Sequence, residues 1–181
     1  MNIVVFAGSM AGGSPEYVKG AAELGKWIAD NGHTLIYGAG KEGMMGAVSE
    51  SALDAGGKVT GIIPRFMVEK GWFNKNVTEA IFTDNMSDRK NKMYEMGDAF
   101  VALPGGAGTL DEIAEAIMWL SLETLNKPVI LYNINGFYNE LFEIYKTMVR
   151  DDFLIPGALD YIYLVNDVND FEKGLRGTHT E

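Results

Sequence analysis

The densest concentration of chemistry-bearing residues lies in Pro104-Gly105-Gly106-Ala107-Gly108-Thr109-Leu110-Asp111-Glu112, which follows an apolar run ending at Leu103. Glycine lets a backbone approach a ligand closely. A helix starting here would offer amide N–H groups with no intrahelical partner, a standard physical means of holding a phosphate dianion. Thr109 can add a hydroxyl donor. The same letters also spell a capping box, with Thr109 as N-cap and Glu112 folded back on its amide. Acidic residues in a first turn suit the helix dipole and would keep Glu112 ionised. Phosphate loop and cap can coexist. Glu112 separates the two readings, because a catalyst must aim its carboxylate at a substrate and a cap turns it back.

Two further clusters carry potential chemistry. Arg89-Lys90 sit in Asn85-Met86-Ser87-Asp88-Arg89-Lys90-Asn91-Lys92-Met93, a helical stretch before the apolar run. They form either a solvated basic face or, at Arg89, a planar fork for a phosphate or carboxylate. Gly38–Gly43 (GAGKEG) fits G-x-G-x-x-G. The dinucleotide fingerprint, however, belongs after the first strand, with an acidic residue about 20 positions on. Here it follows the second strand, and the third ends Ile63-Pro64-Arg65, so nicotinamide-dinucleotide binding is demoted. Without Gly-Lys-Ser/Thr it is no P-loop either, and a phosphate-accepting or tight-packing turn fits better. The chain has two histidines, His33 and His179, and no cysteine. That speaks against a His-based triad, a multi-His metal site, a disulfide framework and a thiolate nucleophile.

These residues need elements to position them. Apolar runs at Asn2–Ala7, His33–Tyr37, Lys58–Ile63, Thr78–Thr83, Asp98–Leu103, Pro128–Tyr132 and Tyr161–Val165 read as strands. Helical patterns cover Pro15–Asp30, Gly43–Ala55, Asn85–Met96, Thr109–Thr124, Gly136–Arg150 and Asn169–Gly174, and Arg65–Asn76 reads as a loop with a short helix. Consecutive apolar residues in strands alternating with helices predict an α/β fold: a Rossmann-like, doubly wound parallel sheet of about six to seven strands with helices on both faces. Ligands of such sheets sit outside the carboxyl ends of the strands, and glycine recurs there at Gly8, Gly38, Gly40, Gly105, Gly106 and Gly108. Residues 1–175 are expected to form one domain, followed by a polar tail at 176–181.

The 181 residues suit a single core, and the net charge of −10 disfavours partners such as nucleic acid or an anionic membrane. No stretch approaches the ~20 apolar residues of a membrane span. The N-terminus lacks a basic signal region, so the expectation is a cytoplasmic protein. Trp119 and Met118, with Ile113, Ile117 and Leu120, make the helix after the glycines apolar around much of its girth, which favours a homodimer.

Taken with Arg89-Lys90, Met93 and the strand ending at Leu103, the Pro104–Glu112 segment resembles the signature of the LOG ("Lonely Guy") family, PGGxGTxxE preceded by an Arg-Lys helix. Agreeing landmarks include Gly8-Ser9 with Pro15-Glu16-Tyr17, Tyr37-Gly38 through Gly43-Met44-Met45-Gly46, Gly61–Pro64, Lys127-Pro128-Val129, and Asn133 with Gly136-Phe137-Tyr138. They cover roughly Ile3 to Val165. The resemblance implies a Rossmann-like homodimer that hydrolyses the N-glycosidic bond of nucleoside 5′-monophosphates to free base and ribose 5-phosphate, with no metal and no organic cofactor. In the best-known members the substrates are cytokinin riboside monophosphates. The older family label, lysine decarboxylase, carries little weight, since nothing here looks like a pyridoxal-phosphate lysine site. Carried over by residue, the resemblance makes Glu112 the catalytic glutamate and Arg89 the catalytic arginine. It makes Pro104, Gly105, Gly106, Gly108 and Thr109 the cradle of the 5′-phosphate. Ser9, Gly38, Gly40, Gly43 and Met86 would shape the nucleotide pocket, with Lys90 a secondary contact. Plant-type members usually carry a histidine or similar residue where Met86-Ser87-Asp88 stands, a tyrosine at Ala107, and Ala-Gln-Leu-Gly at Leu120–Glu123. These departures bear on base specificity. The alternative reading is a non-catalytic nucleotide- or phosphate-binding protein with Glu112 acting only as a cap.

Overall fold

The computed structural model describes residues 1–122 and 126–176. The expected helix end at Thr124, and His179 with the rest of the tail from 177 on, lie outside the described residues. Among the described residues seven strands, all parallel, form one sheet: β1 (Asn2–Phe6), β2 (Thr34–Tyr37), β3 (Lys58–Pro64), β4 (Glu79–Thr83), β5 (Ala99–Ala102), β6 (Val129–Tyr132) and β7 (Ile162–Val165). Their spatial order is β4-β3-β2-β1-β5-β6-β7. The helices between them are α1 (Pro15–Asp30), α2 (Gly43–Asp54), α3 (Arg65–Glu69), α4 (Met86–Met96), α5 (Ala107–Ser121) and α6 (Asn139–Arg150), and α7 (Phe171–Leu175) follows β7.

Strand residues alternate between two cores. Ile3, Val5, Leu35, Tyr37 and Val101 pack with α1, α2 and α7, through Leu24, Ile28, Val48 and Phe171. Val4, Phe6, Ile36, Phe100 and Leu131 pack on the other face with Met93 of α4, Ile113 and Ile117 of α5, and Tyr145 of α6. Burial on both faces is why these strands read as continuous apolar runs. The chain lays β1 to β4 down in one direction and then crosses back, through α4, to place β5 on the other side of β1. The crevice outside the carboxyl ends of β1 and β5 is therefore the topological switch point, where doubly wound sheets bind ligands.

Two expected boundaries are corrected. α5 begins at Ala107 rather than Thr109, with Gly106 as N-cap and no side-chain cap bond. α6 begins at Asn139 rather than Gly136, because Ile134–Gly136 form a 3₁₀ turn in which Asn135 and Gly136 have φ of 55° and 72°. Left-handed backbone cannot continue into an α-helix.

α1 and α2 touch at backbone distance. A Cβ built on Gly25 would lie 2.1 Å from the Val48 carbonyl oxygen. Gly25→Ala gains about 1 kcal/mol of helix propensity, but a backbone oxygen cannot rotate away as a side chain would. The helices must part, at a typical overpacking cost of about 1–3 kcal/mol. Gly25→Ala is expected to lower the melting temperature, whereas Gly13→Ala, whose new methyl meets nothing within 4 Å, should leave it within the scatter of surface changes. Parallel thermal melts check both.

Candidate active site

The site is built where the carboxyl ends of β1, β2, β3 and β5 converge. Arg89 stands in the first turn of α4 and Glu112 in the second turn of α5. Their side chains meet across the sheet end: Arg89 Nη1 donates to Glu112 Oε1 at 3.0 Å. Both residues are buried, at 7% and 6% exposure. Arg89 Nε donates to the Ile62 carbonyl of β3 at 3.1 Å. The second nitrogen, Nη2, passes over Gly38, where a built Cβ would lie 1.8 Å from it. Gly38 is therefore glycine because the guanidinium occupies the place of its side chain. Met45 packs beside it, with its sulfur 3.3 Å from the same built position. The remaining glycines of GAGKEG have equally local tasks. Gly40 makes room for Met45, and Gly43 (φ 60°) seats the Ser9-Met10 backbone. Phe73 bridges Gly40, and Asn74 N–H donates to the Ala39 carbonyl at 2.8 Å, so residues 73–74 strap this turn down.

The capping box is not formed. With α5 starting at Ala107, Thr109 is its third residue, buried, and its hydroxyl packs against Gly105, whose built Cβ would sit 2.2 Å from Oγ1. Glu112 turns to Arg89 instead of to the Thr109 amide. The expected dipole support for an ionised Glu112 also weakens, because the side chain is no longer in the first turn. Burial is the largest influence and raises its pKa. Arg89 and Lys90 pull it down, Asp111 pushes it up, and the balance lies above the ordinary glutamate value.

At the same end of the sheet a cavity of about 210 Å³ opens at the switch point, lined by neither Arg89 nor Glu112. Gly8, Ser9, Pro104, Gly105 and Gly106 form its backbone wall, and Tyr17, Met44 and Phe137 its apolar side. Gly8 and Gly105 touch, a built Cβ on Gly8 lying 3.2 Å from the Gly105 Cα. Gly106 and Gly108 face open space, with nothing within 4 Å of a built Cβ. Their lack of side chains answers no packing demand and leaves the start of α5 accessible. No side chain caps that start, so its first amides carry the unpaired N–H groups an anion can take.

Of the residues singled out in the sequence, Arg89, Glu112 and Gly38 thus form one cluster, and Ser9, Pro104, Gly105 and Gly106 line the adjoining cavity. Thr109 supports Gly105 from below. Gly108 lies one residue into α5. Gly40 and Gly43 shape the floor. Met86 opens α4, half-buried, and does not line that cavity. The Lys90 ammonium is directed to Asp111 and Glu115 at 2.9 and 2.6 Å. The sequence does not mark the apolar wall of Tyr17 and Phe137 as part of a site. Its one signal is membership of the landmark segments at 15–17 and 136–138. Tyr138, whose hydroxyl donates to the Leu103 carbonyl at 2.7 Å, shares that signal, whereas Tyr94, whose hydroxyl donates to the Glu112 carbonyl at 2.7 Å, carries no sequence signal as a support of the site.

Comparison with known proteins gives a consistent picture. A family profile described as "possible lysine decarboxylase" matches residues 45–174. A rice (Oryza sativa subsp. japonica) protein named probable cytokinin riboside 5′-monophosphate phosphoribohydrolase LOG4 is 36% identical over 168 residues, 93% of this chain and 73% of its own. An Arabidopsis thaliana protein named cytokinin riboside 5′-monophosphate phosphoribohydrolase LOG3 is 37% identical over 173 residues, 96% of this chain and 80% of its own. Among solved structures, the molybdenum cofactor carrier protein of Chlamydomonas reinhardtii superposes with a TM-score of 0.73 at 25% identity, covering 97% of this chain and 95% of that one. The molybdenum cofactor binding protein of Rippkaea orientalis gives 0.72 at 26% identity, with 95% and 93% covered.

The buried pair makes a pH-dependent stability prediction. In Arg89→Met, Glu112 loses the stronger of the two cations that lower its pKa, so the folded state holds the proton to higher pH than the unfolded chain does. Stability then falls as pH rises. Relative to wild type, Arg89→Met should lose about 3–5 kcal/mol near pH 8 and markedly less near pH 5, where protonated Glu112 needs no partner. Arg89→Met with Glu112→Leu should recover most of the loss at both pH values. Urea melts at the two pH values decide it.

Proposed function

We propose, since the chain belongs to the LOG family of phosphoribohydrolases, that it hydrolyses nucleoside 5′-monophosphates at the N-glycosidic bond, releasing free base and ribose 5-phosphate. One observation carries the reading: a buried carboxylate, bonded to a buried arginine through one oxygen only, stands beside an open glycine loop and an uncapped helix start. The loop amides and Ser9 suit the 5′-phosphate. Among the described residues only Oε1 of Glu112 is bonded, which leaves Oε2 for a water or the sugar.

In this scheme the C1′–N bond lengthens and positive charge builds on the ribose, which the Glu112 carboxylate stabilises. Water attacks C1′. Its proton passes to Glu112 as general base and from there to solvent or to the departing base nitrogen. Arg89 stays charged throughout; it orients Glu112 and opposes the charge left on the leaving base. A carboxyl pKa raised by burial serves a general base, bringing it closer to the working pH. The departures at Met86-Ser87-Asp88 and Ala107 lie where plant-type members differ, so AMP is the first substrate to try, with cytokinin riboside monophosphates beside it. Lysine decarboxylation finds no support in these residues. A Schiff-base lysine must lose its proton, yet Asp111 and Glu115 hold Lys90 charged: burial lowers its pKa, and the two carboxylates more than reverse that.

The proposal extends to a homodimer in the cytoplasm. Leu110 and Met118 on the outer side of α5, and Leu122 at its end, are 42%, 42% and 58% exposed. A second copy would cover such a face. Among the described residues no helix is long and apolar enough to cross a membrane.

A second reading is a carrier that binds without turnover, favoured by the solved neighbours titled as molybdenum cofactor carrier and binding proteins. Incubation with AMP separates the two. The hydrolase is expected to release adenine and ribose 5-phosphate, and Glu112→Gln to lower kcat by at least about 10²-fold while still binding AMP. In wild type, log kcat/KM should rise with pH along an acid limb whose midpoint lies above the ordinary glutamate range of about 4.3. Binding of AMP with no release of base would favour the carrier, and an acid limb at or below that range would remove Glu112 as the base.

A further inference from the structure

Arg89-Lys90 and Asp111-Glu112 are two adjacent doublets on facing helices, and they cross-pair. Arg89 takes Glu112, and Lys90 takes Asp111 and Glu115. The two pairings differ in setting. Arg89 and Glu112 are buried, whereas Lys90 lies at the edge, its side chain 16% exposed against 60% for Asp111 and 23% for Glu115. One turn further along α4, the Tyr94 hydroxyl donates to the backbone carbonyl of Glu112 itself. α4 therefore grips α5 on both sides of the functional carboxylate, once through an ammonium and once through a phenol.

We propose that Lys90 is a positioning residue for the Arg89–Glu112 pair, pinning α5 to α4 through Asp111 and Glu115, and not a contact to the substrate. This rests on the hydrolase reading for its role in turnover, but its geometry stands without it. Two carboxylates already hold the ammonium at 2.9 and 2.6 Å. A substrate phosphate reaching Lys90 would have to approach both of them, at a repulsive cost. Arg89 reaches Glu112 through a single hydrogen bond from Nη1 while Ile62 and Gly38 fix the rest of its guanidinium. The arginine therefore cannot follow a displaced carboxylate, and the register of α5 must be held by something else. Lys90 is the charged group that spans the two helices next to it.

The charges around Glu112 give a readout that bulk stability does not. Arg89, Lys90 and Tyr94 face it from α4, Asp111 and Glu115 lie on its own helix, and Tyr138 approaches from the segment before α6. Removing Lys90 takes away one cation and frees Asp111 to act unopposed, so Glu112 should hold its proton to higher pH.

The test compares Lys90→Gln and Lys90→Arg with wild type in AMP hydrolysis. Lys90→Gln is expected to lower kcat by about 10²-fold, the cost of a misplaced group of about 1 Å, with KM little changed and the acid limb moved to higher pH. Lys90→Arg should restore most of kcat and the original limb. A raised KM with kcat and limb unchanged would make Lys90 a substrate contact. A lowered melting temperature with unaltered kinetics would make it merely structural. Either result overturns the proposal. A ¹³C NMR titration of the Glu112 carboxyl reads the same change in its electrostatic surroundings without turnover. Should wild type release no base, the hydrolase reading fails, while an unmoved titration in Lys90→Gln would sink the positioning role separately.

Discussion

A single buried ion pair organises this end of the molecule. Taking a guanidinium and a carboxylate out of water costs several kcal/mol for each ion, and replacing such a pair by well-packed apolar residues is often neutral or stabilising. The Arg89–Glu112 contact is therefore poorly explained as a device for stability. The surroundings are nonetheless arranged to accept it. Gly38 vacates the volume of Nη2, Ile62 offers its carbonyl to Nε, and Lys90 and Tyr94 fix α5 against α4. Several elements accommodate a pair that folding alone does not require, which marks it as a candidate functional site.

The topology explains why the pair and the glycine cradle share an edge. β5 is inserted beside β1 only after the chain has built β2, β3 and β4 and crossed back. That crossover is α4, which carries Arg89 past the ends of β2 and β3 before β5 begins. The turn that leaves β5 is the glycine loop, and it opens directly into α5. Arg89 and Glu112, 23 residues apart, so reach each other across one strand, while Gly8 and Gly105 close the crevice between the two central strands. Charge and cradle are two products of one reversal in strand order.

Much of this is legible in the sequence, for identifiable reasons. Apolar runs such as Ile3-Val4-Val5-Phe6 mark strands buried on both faces, and all seven strands and the long helices follow. The demotion of GAGKEG as a dinucleotide finger fits its observed packing, since Gly38, Gly40 and Gly43 accommodate Arg89, Met45 and the Ser9-Met10 backbone. Three things are not legible. Local sequence places the start of α5 too late because Thr-x-x-Glu is a good capping box, and only the tertiary contact with Arg89 decides against it. The 3₁₀ turn at Ile134–Gly136 depends on left-handed backbone that helical periodicity does not encode. Lys90 reads as half of a basic doublet, and its two partners lie more than 20 positions away on another helix, where no local pattern points.

The two-residue shift in the start of α5 changes what Glu112 can do. With Thr109 as cap, the glutamate would stand in the first turn, satisfied by the amide of the cap. With Gly106 as cap, it is the sixth helical residue, roughly 7.5 Å along the axis from the first, at about 1.5 Å per residue. Its carboxylate accepts from Arg89 rather than from the amides at the start of α5. An anion held at those amides and a carboxylate set back from them leave a gap between, which Arg89 borders from α4. A sugar joined to the bound phosphate would fill that gap and present its far bond to Glu112. The open glycines at 106 and 108 and the absent side-chain cap thus belong to the same arrangement as the buried pair: the helix start is left open, and the residue that would have capped it is turned toward Arg89.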